Sequence, residues 1–403
     1  MRERALVDAE EARTIGWVLW RVRDARGKSL RVIAGLAGMS KDTLNRIERG
    51  ERSPTLSEIR ALADALQISV SELTRLPLPA PANGHTDSTM EAIRRAVIAV
   101  SNDLPGGQVL AVEVLRTRVT AVVDALCRCD REGEVGAALP GLIRDLYSSI
   151  AAGRDVAELL SLAAWLHTQV TVSWLRLAGA SLDLCGQVVM LARRAAHDLD
   201  TPVPMGLVAV SAARMALAEG AFDLAQGVLD AVTVPTNTPE LMQLAGLGAL
   251  RRLVVAAAAN RAGDRDASLE YAAELAERTG EGNAYGLGFG PVSVGMFRIQ
   301  GLVEAKDYEQ AVSIAEGLNP DAHANQSSRA YYWINYGRAL ARLRGRHDDA
   351  VRAFRRVEAI SPHSVQRNQI NRDTLAVLLR HSRRGSPADQ ELRGMARRAG
   401  LLV

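Results

Sequence analysis

The chain has 403 residues, 48% hydrophobic and only 4% aromatic, with a formal net charge of +3. That length exceeds one small helical domain, and the alanine-rich, aromatic-poor composition suits packed helices better than sheets. No apolar run long enough to cross a membrane stands out, and the opening MRERALVDAEEART lacks the apolar stretch of a signal peptide, so the sequence predicts a cytoplasmic protein with no membrane span.

Ile15, Val18, Leu19 and Val22 follow an i, i+3, i+4, i+7 period, which gives a helix one apolar face. Residues 29–48, SLRVIAGLAGMSKDTLNRIE, read as a short helix, a tight turn and a second short helix. Leu30, Ile33 and Ala37, then Leu44 and Ile47, fall where crossed helices bury them, and Ala34 is small where the helices approach. Gly38 supplies the positive φ of the turn. Ser40 is placed to cap the second helix. The polar face of that helix, Ser40, Lys41, Asp42, Thr43, Asn45 and Arg46, is then turned outward, a display that fits the major groove of double-stranded DNA. Thr55–Glu58 and Ser69–Glu72 are capping boxes, each starting a helix, and Ile59, Leu62, Ala63 and Leu66 form another apolar stripe. Residues 10–76 thus predict five short helices around one core, a domain over 1–76.

This stretch resembles the Cro/phage-repressor (XRE-like) helix-turn-helix family along RVRDARGKS…AGMSKDTLNRIERGERSPTLSEIRALADAL, about a sixth of the chain. The resemblance implies an ion pair between Arg23 and Glu48, base contacts from Lys41, Asp42 and Arg46, and positions near phosphates for Lys28, Ser40, Asn45, Arg49 and Arg52. Arg46 can bond guanine through O6 and N7. Asp42 can accept from a cytosine amine or complement the positive helix N-terminus. The family often starts the first motif helix with a phosphate-touching Gln. Leu30 stands there instead, so Arg31 or a backbone N–H has to replace that contact.

The charge is unevenly placed. Residues 1–75 hold 14 Lys+Arg against 11 Asp+Glu, a net +3, and the remainder is neutral with 35 of each. A head this weakly basic depends on a few placed contacts and on doubling through a homodimer. Three lysines against 46 arginines read as a GC-rich coding genome rather than as a nucleic-acid signal.

Residues 77–90 are rich in Pro and small polar residues and read as a linker between the head and a second domain over 91–403. The rest is helix after helix, and it repeats. GAFDLA (220–225), GDRDAS (263–268), KDYEQA (306–311) and GRHDDA (345–350) are similar turn regions, with weaker copies starting at Gly133, Gly179 and Gly385. Successive turns are 46, 41, 43, 43, 39 and 40 residues apart, the recurrence of an α-solenoid. The unit Trp333, Gly337, Ala350, Phe354, Pro362 resembles the tetratricopeptide pattern, with one extra turn residue and a spacing above the strict repeat. The predicted fold is therefore all-α: a five-helix DNA-binding head followed by a tetratricopeptide-like solenoid, whose concave face could take a ligand.

Nine of the sixteen aromatics lie between residues 285 and 354. Trp333, Tyr308 and Phe354 answer to the repeat itself. Tyr285, Phe289, Tyr331 and Tyr332 fall near the starts of first-in-pair helices, with Gln300, Asn335, Arg338, Asn368, Asn371 and Arg372 as polar neighbours able to pair with a peptide backbone or an anion. The glycine-rich run 282–290 precedes no phosphate-loop lysine and reads as a flexible connection. No G-x-S-x-G, H-E-x-x-H or Walker-type motif is present, and the histidines are scattered, so no enzyme, cofactor or metal site is predicted. Cys127, Cys129 and Cys185 have no zinc or disulfide spacing and read as reduced thiols.

The architecture resembles the peptide-pheromone receptors of Gram-positive bacteria (the RRNPP group) and the repeat-bearing regulators of actinomycetes. That resemblance implies a regulator whose solenoid dimerises and senses a peptide, small molecule or protein partner. In the receptors an inner-helix asparagine clamps the ligand backbone, a role for which Asn335 and Asn368 are the candidates. The alternative is an interaction scaffold whose repeats capture another protein. The dimer surface is open among the C-terminal repeats, the 107–200 helices and the Trp17/Trp20 pair.

Overall fold

The computed structural model describes residues 15–66 and 84–401, apart from 17–18, 21, 25, 53, 55 and 383–384. It divides into two compact units, Met1–Pro79 and Ala80–Val403. Among the described residues all regular elements are helices, beside one isolated β-bridge between Gly282 and Phe289.

The first unit contains α1 (Leu30–Leu36), α2 (Lys41–Glu48) and α3 (Leu56–Leu66), preceded by helical residues at 15–16, 19–20 and 22–24. Leu19, Ile33, Ala34, Leu44, Ile47, Leu62 and Leu66 close one core, as the apolar spacing predicts. Leu30 packs against its edge. Gly38 has φ +66° in the α1–α2 turn, the left-handed conformation that a side chain would strain. Trp17, Val18, Thr55, the side chain of Ile59 and the capping box Ser69–Glu72 lie outside the described residues.

The second unit opens with α4 (Gly84–Ser101), α5 (Val112–Cys127) and α6 (Glu132–Ala151). Here the expected linker is corrected. Residues 84–90 are the first two turns of α4, and Thr86 and Thr89 are buried. The next helix, α7, runs Val156–Trp165, widens to a π-helical Leu166–Thr171, and resumes as Val172–Leu177. Then come α8 (Leu182–Leu199), α9 (Pro202–Ala218), α10 (Phe222–Asp230), α11 (Pro239–Ala258) and α12 (Ala262–Thr279). The series ends with α13 (Pro291–Glu304), α14 (Tyr308–Gly317), α15 (Gln326–Leu340), α16 (His347–Ile360), α17 (Pro362–Arg367), α18 (Gln369–His381) and α19 (Pro387–Arg398).

From α9 to α16 the helices pack as hairpin pairs, and the first members α9, α11, α13 and α15 also pack on one another in sequence. That is the inner layer of a tetratricopeptide-like stack. Gly337 and Phe354 meet as the repeat pattern requires, a Cβ on Gly337 falling 2.9 Å from the Phe354 ring. Two turn positions need correction. Gly263 sits inside α12, and the left-handed residue is Asn260 (φ +58°); Gly133 sits inside α6, and the left-handed residues are Cys129 and Arg131. Asparagine tolerates that conformation better than most side chains.

The C-terminal repeats return to the first helices of the same unit. Ser361 Oγ donates to Glu132 Oε1 at 2.8 Å, and His363 Nδ1 bonds Glu132 Oε2. Arg367 donates to the Ala178 carbonyl and to Asp87 Oδ1, each at 2.6 Å. One helix departs from the expectation of no membrane-spanning candidate. Pro239–Ala258 is long and apolar enough, with a mean hydropathy of 1.4, but 72% of that stretch is buried inside the unit as a core helix. Burial pushes the Cys127 and Cys129 thiols up to about 11 and about 12, so both stay protonated at neutral pH.

Candidate nucleic-acid interface and ligand surface

Ser40 starts α2 by local chemistry. Its backbone is extended (φ −73°, ψ 151°), and its Oγ accepts from Thr43 N at 3.0 Å. Leu44 and Ile47 hold one side of α2 in the core, so the opposite side faces solvent. Lys41, Asp42 and Arg46 are exposed there, with Ser40 at the cap and Thr43 and Asn45 half-buried at the edges. Asp42 lies in the first turn of α2, where its charge complements the helix dipole. Lys28, Arg31 and Arg49 are exposed around this face. Arg52 is half-buried and pairs with Glu58 at 2.8 Å.

The pairing of Arg23 with Glu48 fixes the angle of α2. Nε and Nη2 of Arg23 donate to the two Glu48 oxygens at 2.6 and 2.8 Å, and Nη1 donates to the Lys28 carbonyl at 2.8 Å. The side chains are 12% and 6% exposed, which makes this a desolvated, two-pronged pair rather than a surface contact. The Glu48 hydrogen bond raises the Arg23 pKa and outweighs the opposing effect of burial. Gly16, not singled out by the sequence, sets the close approach behind it. A Cβ there would stand 2.2 Å from the Ile47 carbonyl oxygen.

In the second unit the ten sequence-predicted ligand residues separate. Gln300, Tyr331, Asn335 and Arg338 come together on α13 and α15 of the inner layer. Asn335 is committed there, its Nδ2 donating to the Tyr331 carbonyl and its Oδ1 accepting from Arg338 at 3.0 Å each. Arg338 also pairs with Glu304 at 3.0 Å. Phe289 and Tyr332 are corrected to core residues. Phe289 is fully buried between α11 and α12, and Tyr332 donates its hydroxyl to the Ala315 carbonyl at 2.8 Å. Apolar aromatic area is best hidden, and the interior takes it before any groove does.

Asn368, Asn371 and Arg372 are likewise tied into packing of the C-terminal helices. Asn368 Oδ1 caps α18 by accepting from Ile370 N and Asn371 N, Asn371 donates to the Ser364 carbonyl, and the buried Arg372 donates to the Ala399 carbonyl. Tyr285 belongs to the glycine-rich run, which is ordered rather than a loose connection. Its carbonyl accepts from Trp165 Nε1 at 2.8 Å, the Gly286 carbonyl accepts from Asn325 Nδ2 at 2.9 Å, and Gly282 and Phe289 exchange two backbone bonds of 2.8 Å.

Sequence reasoning passed over three arginines: Arg176 at the end of α7, and Arg214 on α9 and Arg251 on α11 of the inner layer. Two of them stand inside strongly apolar helices, which is the signal that could have found them. A separate recess of about 280 Å³ between α9, α10 and α11 is lined by Gly206, Leu229 and Leu244, with its Arg252 already paired to Asp230 at 3.0 Å.

A family model described as a helix-turn-helix domain matches residues 14–76. The transcriptional regulator ClgR of Mycobacterium tuberculosis is 31% identical over 96 residues, 21% of this chain and 86% of ClgR. Among solved structures, Bacillus thuringiensis PlcR in complex with the peptide PapR7 and DNA is 12% identical with a TM-score of 0.28, over 75% of this chain and 95% of PlcR. The PrgX/iCF10 complex is 9% identical with a TM-score of 0.33, over 87% of this chain and 97% of PrgX.

Proposed function

We propose a division of labour that starts from one premise: this chain belongs to the helix-turn-helix family of DNA-binding transcriptional regulators, the family of ClgR. In this reading α2 enters the major groove, Lys41, Asp42 and Arg46 meet base edges, and Lys28, Arg31, Ser40, Thr43, Asn45, Arg49 and Arg52 fix the helix against phosphates. The repeat unit dimerises and senses an effector, a peptide or small molecule held by its inner helices. Two heads then read half-sites about 34 Å apart. An effector shifts DNA binding only by its difference in affinity for two arrangements of the dimer. Such a protein works in the cytoplasm, where its operator is.

The observation that carries this reading is the outward polar face of α2, held rigid from behind by Leu44, Ile47 and the Arg23–Glu48 pair. Arg46→Ala removes one base contact per head and is expected to weaken operator binding by about 1–3 kcal/mol for each head. A gel shift with the chain's own upstream DNA at two salt concentrations checks it. Binding should fall steeply with salt, because phosphate contacts release counterions. Salt-insensitive binding, or an Arg46→Ala protein that shifts the DNA as the parent does, rejects the interface.

A further inference from the structure

We infer that the inner helices of the repeat unit form an oxyanion site, in which Arg176, Arg214 and Arg251 receive a carboxylate or phosphate group carried by the effector. The inference rests on the sensor role proposed above and gives that sensor a ligand chemistry.

The three guanidiniums come from successive inner elements, the end of α7, then α9, then α11. Arg214 feels the charges of Arg176 and Arg251, Arg251 feels that of Arg176, and among the described residues no carboxylate pairs with Arg214 or Arg251. Arg251 is 8% exposed and its Nε has no acceptor. Its guanidinium lies over the Phe297 ring, 5.2 Å from the centroid, and the neutral Tyr331 hydroxyl is its hydrogen-bond partner. Among the described residues Arg214 reaches the neutral Ser173 Oγ, at 3.4 Å, and its Nε has no acceptor there. Burial first, then the charges of Arg176 and Arg251, pull the Arg214 pKa down to about 9. One turn beyond Phe297, Gln300 is 7% exposed with an oxygen lacking a donor.

Several other part-buried arginines of the unit have acids, as Arg338 has Glu304 and Arg393 has Asp389. Taking a cation from water is costly unless an opposite charge meets it, and neighbouring cations raise that cost. Leucine or methionine would fill the same volume without penalty. Guanidiniums held on adjacent helices with neutral partners in place of carboxylates, one stacked on an aromatic face, are arranged for an incoming anion that accepts in bidentate fashion.

The test is thermal unfolding of the full chain with inorganic phosphate, and with a heptapeptide pool bearing free C-termini against the same pool amidated. Sodium chloride at matched ionic strength is the reference. A bound oxyanion is expected to raise the melting temperature by roughly 2–4 °C. Arg214→Gln and Arg251→Gln should each remove most of that rise, while Arg116→Gln, in an exposed pair on α5, should keep it. Response to the free-acid pool alone assigns a carboxylate, and response to phosphate alone a phosphoryl group. No rise beyond chloride, or an equal rise in both inner variants, overturns the site. An arginine-dependent rise that leaves operator affinity unchanged upholds the site and removes the sensor role instead.

Discussion

Glu48→Ala is expected to unfold the DNA-binding head while the repeat unit stays folded. The Arg23 side chain is 12% exposed, and removing the carboxylate leaves it, among the described residues, the Lys28 carbonyl as hydrogen-bond acceptor and the Asp24 charge nearby. Truncating one partner of a desolvated pair costs about 3–5 kcal/mol, because the other charge stays buried and uncompensated. A core of this size supplies only about 3–5 kcal/mol in total, so the loss is of the same order as the whole stability of the head. Hydrogen exchange across α1–α3 reads it directly: protection at Leu44 and Ile47 should collapse, and operator binding should vanish with it. The Arg23→Met/Glu48→Leu double replacement, which leaves no orphan charge, should restore protection. Unchanged exchange in Glu48→Ala would mean the pair contributes no more than a surface contact.

How much of this was legible in the sequence depends on how far apart the interacting residues are. The head was readable because its determinants are local. Ser40 caps a helix three residues away, Gly38 turns the chain where it stands, and Leu44 and Ile47 share a face by period alone. The inner and outer helices of the repeats were readable for the same reason. The extent of the linker was not, because Thr86 and Thr89 are polar and their helix is held by Arg367 bonding Asp87 from 280 positions away. Likewise the glycine-rich run looked loose because Trp165 and Asn325, which hold its carbonyls, lie 120 and 39 positions distant.

The ligand surface was half legible. Sequence clustering could not tell an aromatic that fills a core from one that lines a groove, so Phe289 and Tyr332 were assigned to the wrong side. The arginines of the inner layer were hidden by abundance: in a chain with 46 of them, Arg214 and Arg251 attract no notice until burial and the lack of an acid partner set them apart.

Phe289→Ala is expected to cost the repeat unit about 3–5 kcal/mol, the usual loss for emptying a buried phenylalanine site. The ring is fully buried among Ala245, Leu250, Ala272 and Leu275, and it also anchors the glycine-rich run, whose Gly282 and Phe289 bond each other. Its removal should lower the melting temperature of this unit by several degrees and expose the amides of Gly282 and Phe289 to exchange. The fit is tight on the other side as well. A Cβ on Gly246 would stand 2.1 Å from the ring, so Gly246→Ala alone should overpack and destabilise. Combined, the two changes should cost less than their sum, because the new methyl group enters the space the ring vacates. Strict additivity, or a Phe289→Ala protein that melts with its parent, would show that Phe289 and Gly246 do not share one packing site.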